Sequence, residues 1–391
     1  MKKIISIIII SILLTGCFDY REINQLVIVN ALAIDKKDEE YMATVSVVKI
    51  EIGGGGGTST NQPKPIYFQE TGKTIFECLR KMTLQSPRRL YINHISLLIA
   101  QEEIAKEGLN NIYDFLLRDQ ESRAQFAILL SREKTAAELL TIFTGYEDLP
   151  PKDLVNSIQT NANYYGISNI MTYDEANSII LNDGIDPVIS SARAVGDLEL
   201  GKDKKTQERT HPYANLIIDS LGAFKEDKLV GWLTDDESRG YNFITNSISN
   251  TIISIPCNDK EDQFMNVEVL GANNKLKVKI DNEKPKFDLQ TEVHVNIGEL
   301  DCPLDINKQS VIEEIEKKVN KKIKNMMTQA IEHLQQLRSD ALGWGQATYY
   351  KYPKYWKQHK DNWYDIYPTV EYKIKVDTIV VHKGLMSSTI K

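Results

Sequence analysis

Ser310 to Leu337 reads SVIEEIEKKVNKKIKNMMTQAIEHLQQL, and this stretch decides the fold class. Ile312, Ile315, Val319, Ile323, Met326, Ala330, Leu334 and Leu337 recur at steps of three and four, while Glu, Lys and Asn fill the other positions. That period lays one apolar stripe along an α-helix with a charged opposite face. Ser310 and Glu313 have the form of a capping box, and Gly343 and Gly345 mark the far end. About 30 residues at 1.5 Å each make a rod of roughly 45 Å. A stripe of that length requires a cover. No second heptad stretch is present, so the cover is expected from the chain's own sheet rather than from a coiled coil with another chain.

Alternating segments on either side supply that sheet. Strands are expected at 214–224, 228–233, 251–256, 265–271, 275–281 and 287–298, and a last one runs from Val370 to Val376 and on to Val381. Ala272-Asn273-Asn274 reads as a turn joining 265–271 and 275–281 into a hairpin. The C-terminal part is therefore α+β, a largely antiparallel sheet crossed by one long helix.

The first half is patterned differently. Leu26–Asp35 and Tyr41–Ile50 alternate as a hairpin around Lys36-Lys37-Asp38-Glu39-Glu40. Gly53–Gly57 is a glycine run with no following Lys-Ser/Thr, so it reads as a solvated loop and not a phosphate cradle. From Thr71 onward helix and strand alternate: helix 73–85, strand Leu90–Ala100, helix Glu102–Leu117, strand Gln125–Leu130 and helix 134–143, with irregular, partly helical sequence over 145–192. That order suggests an α/β unit with some parallel pairing. Gly201–Thr210 is charged and free of apolar residues, a surface loop or a junction. The expected layout is a leader at 1–16, an N-terminal domain at 17–200 that could divide further, a linker or surface loop at 201–212 and a C-terminal α+β domain at 213–391. The whole is mixed α/β and multi-domain.

The leader sets the compartment. Lys2 and Lys3 precede an apolar run from Ile4 to Leu14 that is too short to span a bilayer. It ends in Leu14-Thr15-Gly16-Cys17, the form of a lipobox, in which a peptidase cuts before a diacylglyceryl-modified Cys17. Each buried lipid CH₂ contributes about 0.8 kcal/mol, so two or three chains tether a protein durably. The chain of 391 residues carries 47 Lys and Arg against 54 Asp and Glu, a net −7. Removing residues 1–16 leaves −9, which argues against a nucleic-acid partner. With 42% hydrophobic and 26% charged residues, wholesale disorder is excluded. No other apolar run is long enough for a multi-span protein.

No catalytic or metal-binding constellation stands out. The histidines are scattered at 94, 211, 294, 333, 359 and 382, and no Cys-x-x-Cys occurs, so neither a zinc site nor a cofactor has support. Cys78 lies on the apolar face of a helical pattern with Ile75, Leu79 and Met82, as a small buried hydrophobe. Spacing leaves open whether Cys257 and Cys302 pair. Arg88, Arg89, Arg118, Glu121 and Arg123 read either as an interaction surface or anion site, or as charge pairs fixing helix ends. Asp235-Asp236-Glu237 opens a helix, where acidic groups complement the dipole, with Arg239 two residues on. The segment Tyr349–Lys357, which includes Trp356, mixes rings with lysines and suits core packing, a partner interface, carbohydrate stacking or a headgroup surface.

Several blocks together resemble the Ger(x)C family, the lipoprotein C subunits of spore-germination nutrient receptors. Cys17-Phe18-Asp19-Tyr20-Arg21-Glu22-Ile23-Asn24-Gln25-Leu26 is similar to its opening, with Phe18 in place of Trp, and Ala31-Leu32-Ala33-Ile34-Asp35 resembles its Gly-x-Gly-Ile-Asp without the glycines. Arg88-Arg89 with His94 resembles its Arg-Arg…His block, and Phe115–Arg123 its Phe-Leu-x-Arg-Asp-x-Glu-x-Arg block. Gly222–Lys225, Lys228–Leu233 with Trp232, and Glu237-Ser238-Arg239-Gly240 are the most specific, followed by Gly343-Trp344-Gly345 and Tyr352–Lys357 with Trp363. The resemblance implies a mixed α/β fold of several domains. It also implies a lipid-anchored, non-enzymatic subunit on the outer face of the spore inner membrane, acting with A and B subunits to sense a nutrient. Two other classes are kept in view: a solute-binding lipoprotein of an uptake system, which usually has two similar lobes, and an exported cell-wall hydrolase.

Overall fold

A computed structural model describes residues 25–48, 65–119, 123, 125–257 and 263–382. Cys17, Glu121, the glycine run and the opening block up to Asn24 lie outside the described residues. The order is β1 (Leu26–Lys37), β2 (Glu40–Val48), β3 (Pro65–Gly72), α1 (Ile75–Lys81), β4 (Arg89–Tyr91), β5 (Leu97–Gln101), α2 (Glu102–Glu107), α3 (Asn110–Arg118), β6 (Ala127–Ser131), α4 (Ala136–Thr141), α5 (Pro150–Tyr164), α6 (Tyr173–Ile180), β7 (Val188–Gly196) and α7 (Leu198–Gly201). Then follow β8 (Ala214–Lys225), β9 (Lys228–Trp232), α8 (Asp235–Ile244), β10 (Thr251–Pro256), β11 (Phe264–Asp281), β12 (Lys284–Leu300), α9 (Gln309–Gln336), α10 (Trp344–Lys351), α11 (Pro353–His359), α12 (Trp363–Ile366) and β13 (Glu371–His382).

Two sheets organise these elements. The first has nine strands among the described residues, in the order β3-β2-β1-β5-β6-β7-β8-β9, with β4 also beside β1. Its β1, β5, β6 and β7 run parallel, as the alternation of helix and strand predicts, while β2, β3, β8 and β9 are antiparallel additions. Both faces are covered. Cys78, Leu79, Ile112 and Leu116 of α1 and α3 pack on one face, and Leu139, Leu140, Leu154 and Ile158 of α4 and α5 on the other. The second sheet is β10-β11-β12-β13, and α9 covers one face with Ile312, Ile315, Val319, Ile323, Met326, Ala330 and Leu334 buried. The long stripe is thus matched by the chain's own sheet.

Several expectations need correction. Strand Leu90–Ala100 is two short strands, β4 and β5, separated by a 3₁₀ turn at Ile92–His94. Helix 102–117 is broken into α2 and α3 at Gly108, whose φ of 128° suits glycine and where a Cβ would strike the Asp227 carboxylate. Within 145–192 a strand was not expected, yet β7 joins the sheet there. The 265–271/275–281 hairpin does not form: β11 is one strand of 18 residues with an irregularity between Val269 and Gly271. Asn274 stays in the strand because its polar groups are met elsewhere: its Nδ2 donates to Ile244 O, its Oδ1 accepts from Thr291 Oγ1, and its N donates to Asn246 Oδ1. The reversal comes at Asn282-Glu283, with φ of 47° and 62°, as a tight β-hairpin turn requires. The Ser310/Glu313 capping box is absent; α9 starts at Gln309 after Lys308, with no side-chain cap. The second sheet is largely antiparallel, as expected, with β10, β11 and β12 paired antiparallel and only the last strand parallel to β12.

Residues 201–212 connect β7 and β8, antiparallel neighbours in the first sheet, and the chain changes sheet between Trp232 and Thr251. Helix α8 bridges that change. Thr234 and Glu237 form a reciprocal capping box at its start. At Gly240 the helix runs so close to α9 that a Cβ would collide with the backbone of Met326.

Candidate functional site

Helix α1 is capped by Thr74, whose Oγ1 accepts from Glu77 N at 3.1 Å. Glu77 pairs with Lys81 and accepts from Lys73 N at 2.8 Å, and the Lys81 ammonium, helped by that amide, holds its carboxyl below the usual range. The helix buries Ile75, Cys78 and Leu79, which turns Phe76 outward at 47% exposure with the Arg80 guanidinium 4.7 Å from its ring. Cys78 is free and buried, as the apolar pattern predicts, and burial raises its thiol pKa. Helix α3 buries Ile112, Tyr113 and Leu116 and leaves Phe115 half-buried, its ring centroid 6.0 Å from that of Phe76. Tyr113 O accepts from Tyr173 Oη at 2.8 Å, which fixes α3 against α6.

Between α1 and α3 lies an open cavity of about 560 Å³, lined by Tyr41, Lys73, Phe76, Asp114, Phe115 and Arg118 among others. A smaller cleft adjoins it, with Phe76, Arg80, Thr83, Arg89, Phe115 and Asp119 in its walls. Arg89 belongs to one quoted block, and Phe115, Arg118 and Asp119 to the other. The fold thus brings together two motifs that lie well apart in the chain. Arg118 donates from Nε to both oxygens of Asp114, one turn back, at 2.8 and 2.9 Å, and stays exposed. Arg88 and Arg123 are exposed. His94 is exposed in the 3₁₀ turn, its ring 5.8 Å from that of Tyr91.

The remaining singled-out residues serve packing between elements. Trp232 donates from Nε1 to Glu102 Oε1 at 3.1 Å and lies under Arg132 at 5.0 Å, joining β9 to α2 and β6. Glu237 is shared between Thr234 N and His333 Nδ1, 2.9 Å away on α9. Asp236 pairs with Lys322 at 2.6 Å. The acidic helix start is therefore engaged by capping and by α9. Arg239 is buried, with its guanidinium 4.4 Å from the Tyr165 ring at the end of α5. Trp356 is buried edge-to-face against Trp363 at 5.2 Å, while Tyr349 and Tyr350 remain exposed. Cys257 and Cys302 form a disulfide, answering the pairing that spacing left open.

Three acidic residues matter more than their isolated positions in the sequence suggest. Asp35, the last residue of the Ala31–Asp35 block, is buried and accepts from Ala136 N at 2.6 Å and Ala137 N at 3.0 Å, capping α4 from across the sheet. Burial raises its pKa to about 6 against the opposing pull of those two amides. Asp340 is wholly buried and accepts from Trp344 N, Gly345 N and Trp363 Nε1 at 2.9, 2.6 and 2.7 Å. Its N donates to Asp186 Oδ2 at 2.7 Å, and Asp186 Oδ1 accepts from Glu226 N and Tyr364 Oη. Burial raises both carboxyls. The available signal was a lone acid just before Gly343-Trp344-Gly345, and it does not say which atoms it serves. Among the described residues no group of three or more His, Cys, Asp or Glu side chains is placed to hold a metal ion.

A family profile described as "Spore germination protein N-terminal domain" matches residues 19–194, and one described as "Spore germination B3/GerAC like, C-terminal" matches 219–384. The chain is 30% identical over 389 residues to spore germination protein KC of Bacillus subtilis (strain 168), covering 97% of this chain and 95% of that one. It is 22% identical to spore germination protein B3 of the same organism, over 95% of each chain. The crystal structure of the GerBC protein superposes with a TM-score of 0.58 at 17% identity, over 90% of this chain and 96% of that one, which establishes a shared fold.

Proposed function

The chain belongs to the family of GerAC-like spore germination proteins, and on that premise we propose that it is a lipid-anchored, non-enzymatic subunit of a nutrient germinant receptor. It acts with A and B subunits at the outer face of the spore inner membrane, held there by a diacylglyceryl group on Cys17. One observation carries the reading: Arg89, Phe115, Arg118 and Asp119 converge on an open cleft beside the exposed Phe76 ring. Exposed rings rimmed by charge are the usual chemistry of a protein contact. Glu237, Arg239, Trp232 and Trp356, by contrast, are occupied within the chain.

The test is a spore strain with its other receptors deleted. Phe76→Glu and Arg118→Glu proteins are expected to accumulate normally and to abolish germination with the nutrient. Unimpaired germination in those strains, or in that background after the gene for this chain is deleted too, would refute the proposal. The anchor is tested by Cys17→Ala, which is expected to release the protein from membranes. The cavity of about 560 Å³ is also large enough for a small solute, so the solute-binding reading keeps one specific support. Nutrient binding by the purified body in calorimetry would favour it. The unlike halves, nine strands against four among the described residues, count against a two-lobed binding protein.

A further inference from the structure

We infer that the rim of the smaller cleft, around Arg80, Leu84 and Arg88, rests on an anionic bilayer surface and sets the orientation of the whole body on the membrane. This rests on the lipid anchor at Cys17 proposed above. Only residues 18–24 separate Cys17 from Gln25, and the chain then enters β1, where Leu26 is the parallel partner of Arg89. Eight extended steps reach about 27 Å at most. The 12 residues of β1 themselves span about 36 Å, so the far turn at Asp38-Glu39 cannot be the part that faces the anchor end-on. The tether therefore keeps the Arg89 side of the body close to the lipid.

That side has suitable chemistry. Between Glu77 and Glu102 the chain has no acidic residue but carries Arg80, Arg88 and Arg89, in a protein of net charge −7; Lys81 is engaged by Glu77, and the rim's acids are Glu70, bonded to Gln85, and Asp119 in the cleft wall. Leu84, next to the cleft residue Thr83, is 84% exposed, and Leu117, two residues before Asp119 at the end of α3, is 55% exposed. Exposed Leu84 between Arg80 and Arg88 in the chain matches a surface of anionic headgroups over acyl chains, with the cations on phosphate and the leucine reaching the boundary.

The experiment uses the full lipidated chain in vesicles of phosphatidylglycerol and phosphatidylcholine. It carries a fluorophore on Leu84→Cys or, as the distal control, on Glu39→Cys, with brominated lipid as quencher. The label at 84 is expected to be quenched and the label at 39 not. Arg80→Gln and Arg88→Gln should each weaken salt-sensitive contact by about five-fold. An unquenched label at 84 on a chain that still floats with the vesicles would overturn the inference while leaving the anchor intact, and would assign the rim to a protein partner. Equal flotation of wild type and Cys17→Ser would remove the anchor, and with it this pose.

Discussion

Replacing Asp340 with Ala removes the shared acceptor of three buried donors and tests how far this carboxylate organises the C-terminal aromatic segment. Trp344 N and Gly345 N open α10, and Trp363 Nε1 comes from α12, all within 2.9 Å of the carboxylate. Two lost cap bonds cost about 1 kcal/mol each, and an orphaned buried indole N–H costs about 1–3 kcal/mol. Relief of the buried charge, whose pKa burial pushes upward, offsets part of this. The net loss is expected at about 2–4 kcal/mol, a large share of the roughly 5–15 kcal/mol that holds a typical domain. Trp363→Phe removes one orphan in advance, so the double variant should recover about 1–2 kcal/mol relative to additivity. Urea unfolding followed by near-ultraviolet circular dichroism, which reports the Trp344, Trp356 and Trp363 cluster, reads all four corners of the cycle. A single-variant loss below about 1 kcal/mol, or strict additivity, would show that the carboxylate is incidental.

Three further outcomes follow from other sites. The folded Asp35 holds its proton up to about pH 6 against an ordinary value of 3.8, so its contribution is full below about 3.8 and is lost as pH rises to about 6. Relative to Asp35→Asn, the wild type should therefore lose about 3 kcal/mol between pH 3.8 and 7 in paired urea titrations, and a gain instead would reverse the argument. Cys257→Ser with Cys302→Ser reopens a loop spanning 45 residues, worth about 4 kcal/mol of chain entropy. An unchanged urea midpoint for that pair would refute this. Gly240→Ala should cost about 1–3 kcal/mol because the methyl group meets the α9 backbone at Met326, and thermal unfolding at wild-type temperature would contradict the crossing described.

What could be read from residue order was local and periodic. The stripe of α9 and the β1–β2 hairpin declare themselves because each carries its own period over many residues. Where the reading failed, a distant partner decided the matter. Asn273-Asn274 has turn chemistry, but Asn274 is satisfied by Ile244, Asn246 and Thr291, and the strand continues. The Ser310 cap loses to a start at Gln309, where the chain enters from the disulfide side. The cleft is a similar case. Arg89 and Phe115 were each visible within their motifs, but only parallel pairing of β4 and β5 with β1 sets α1 beside α3 and brings them together. Asp35 and Asp340 look like ordinary acids until the amides that they serve come from elsewhere in the fold.

The parallel pairing of β12 with β13 has a consequence for biogenesis. Those two strands touch along most of their length, yet α9 and the whole aromatic segment lie between them in the chain. A polypeptide synthesised N-terminus first can complete its first sheet early, but the second stays open at one edge until β13 has emerged. Stop codons at or before Glu371 would thus delete β13, uncover part of the long helix and hand proteases a half-built body, so that such C-terminal truncations should behave as nulls.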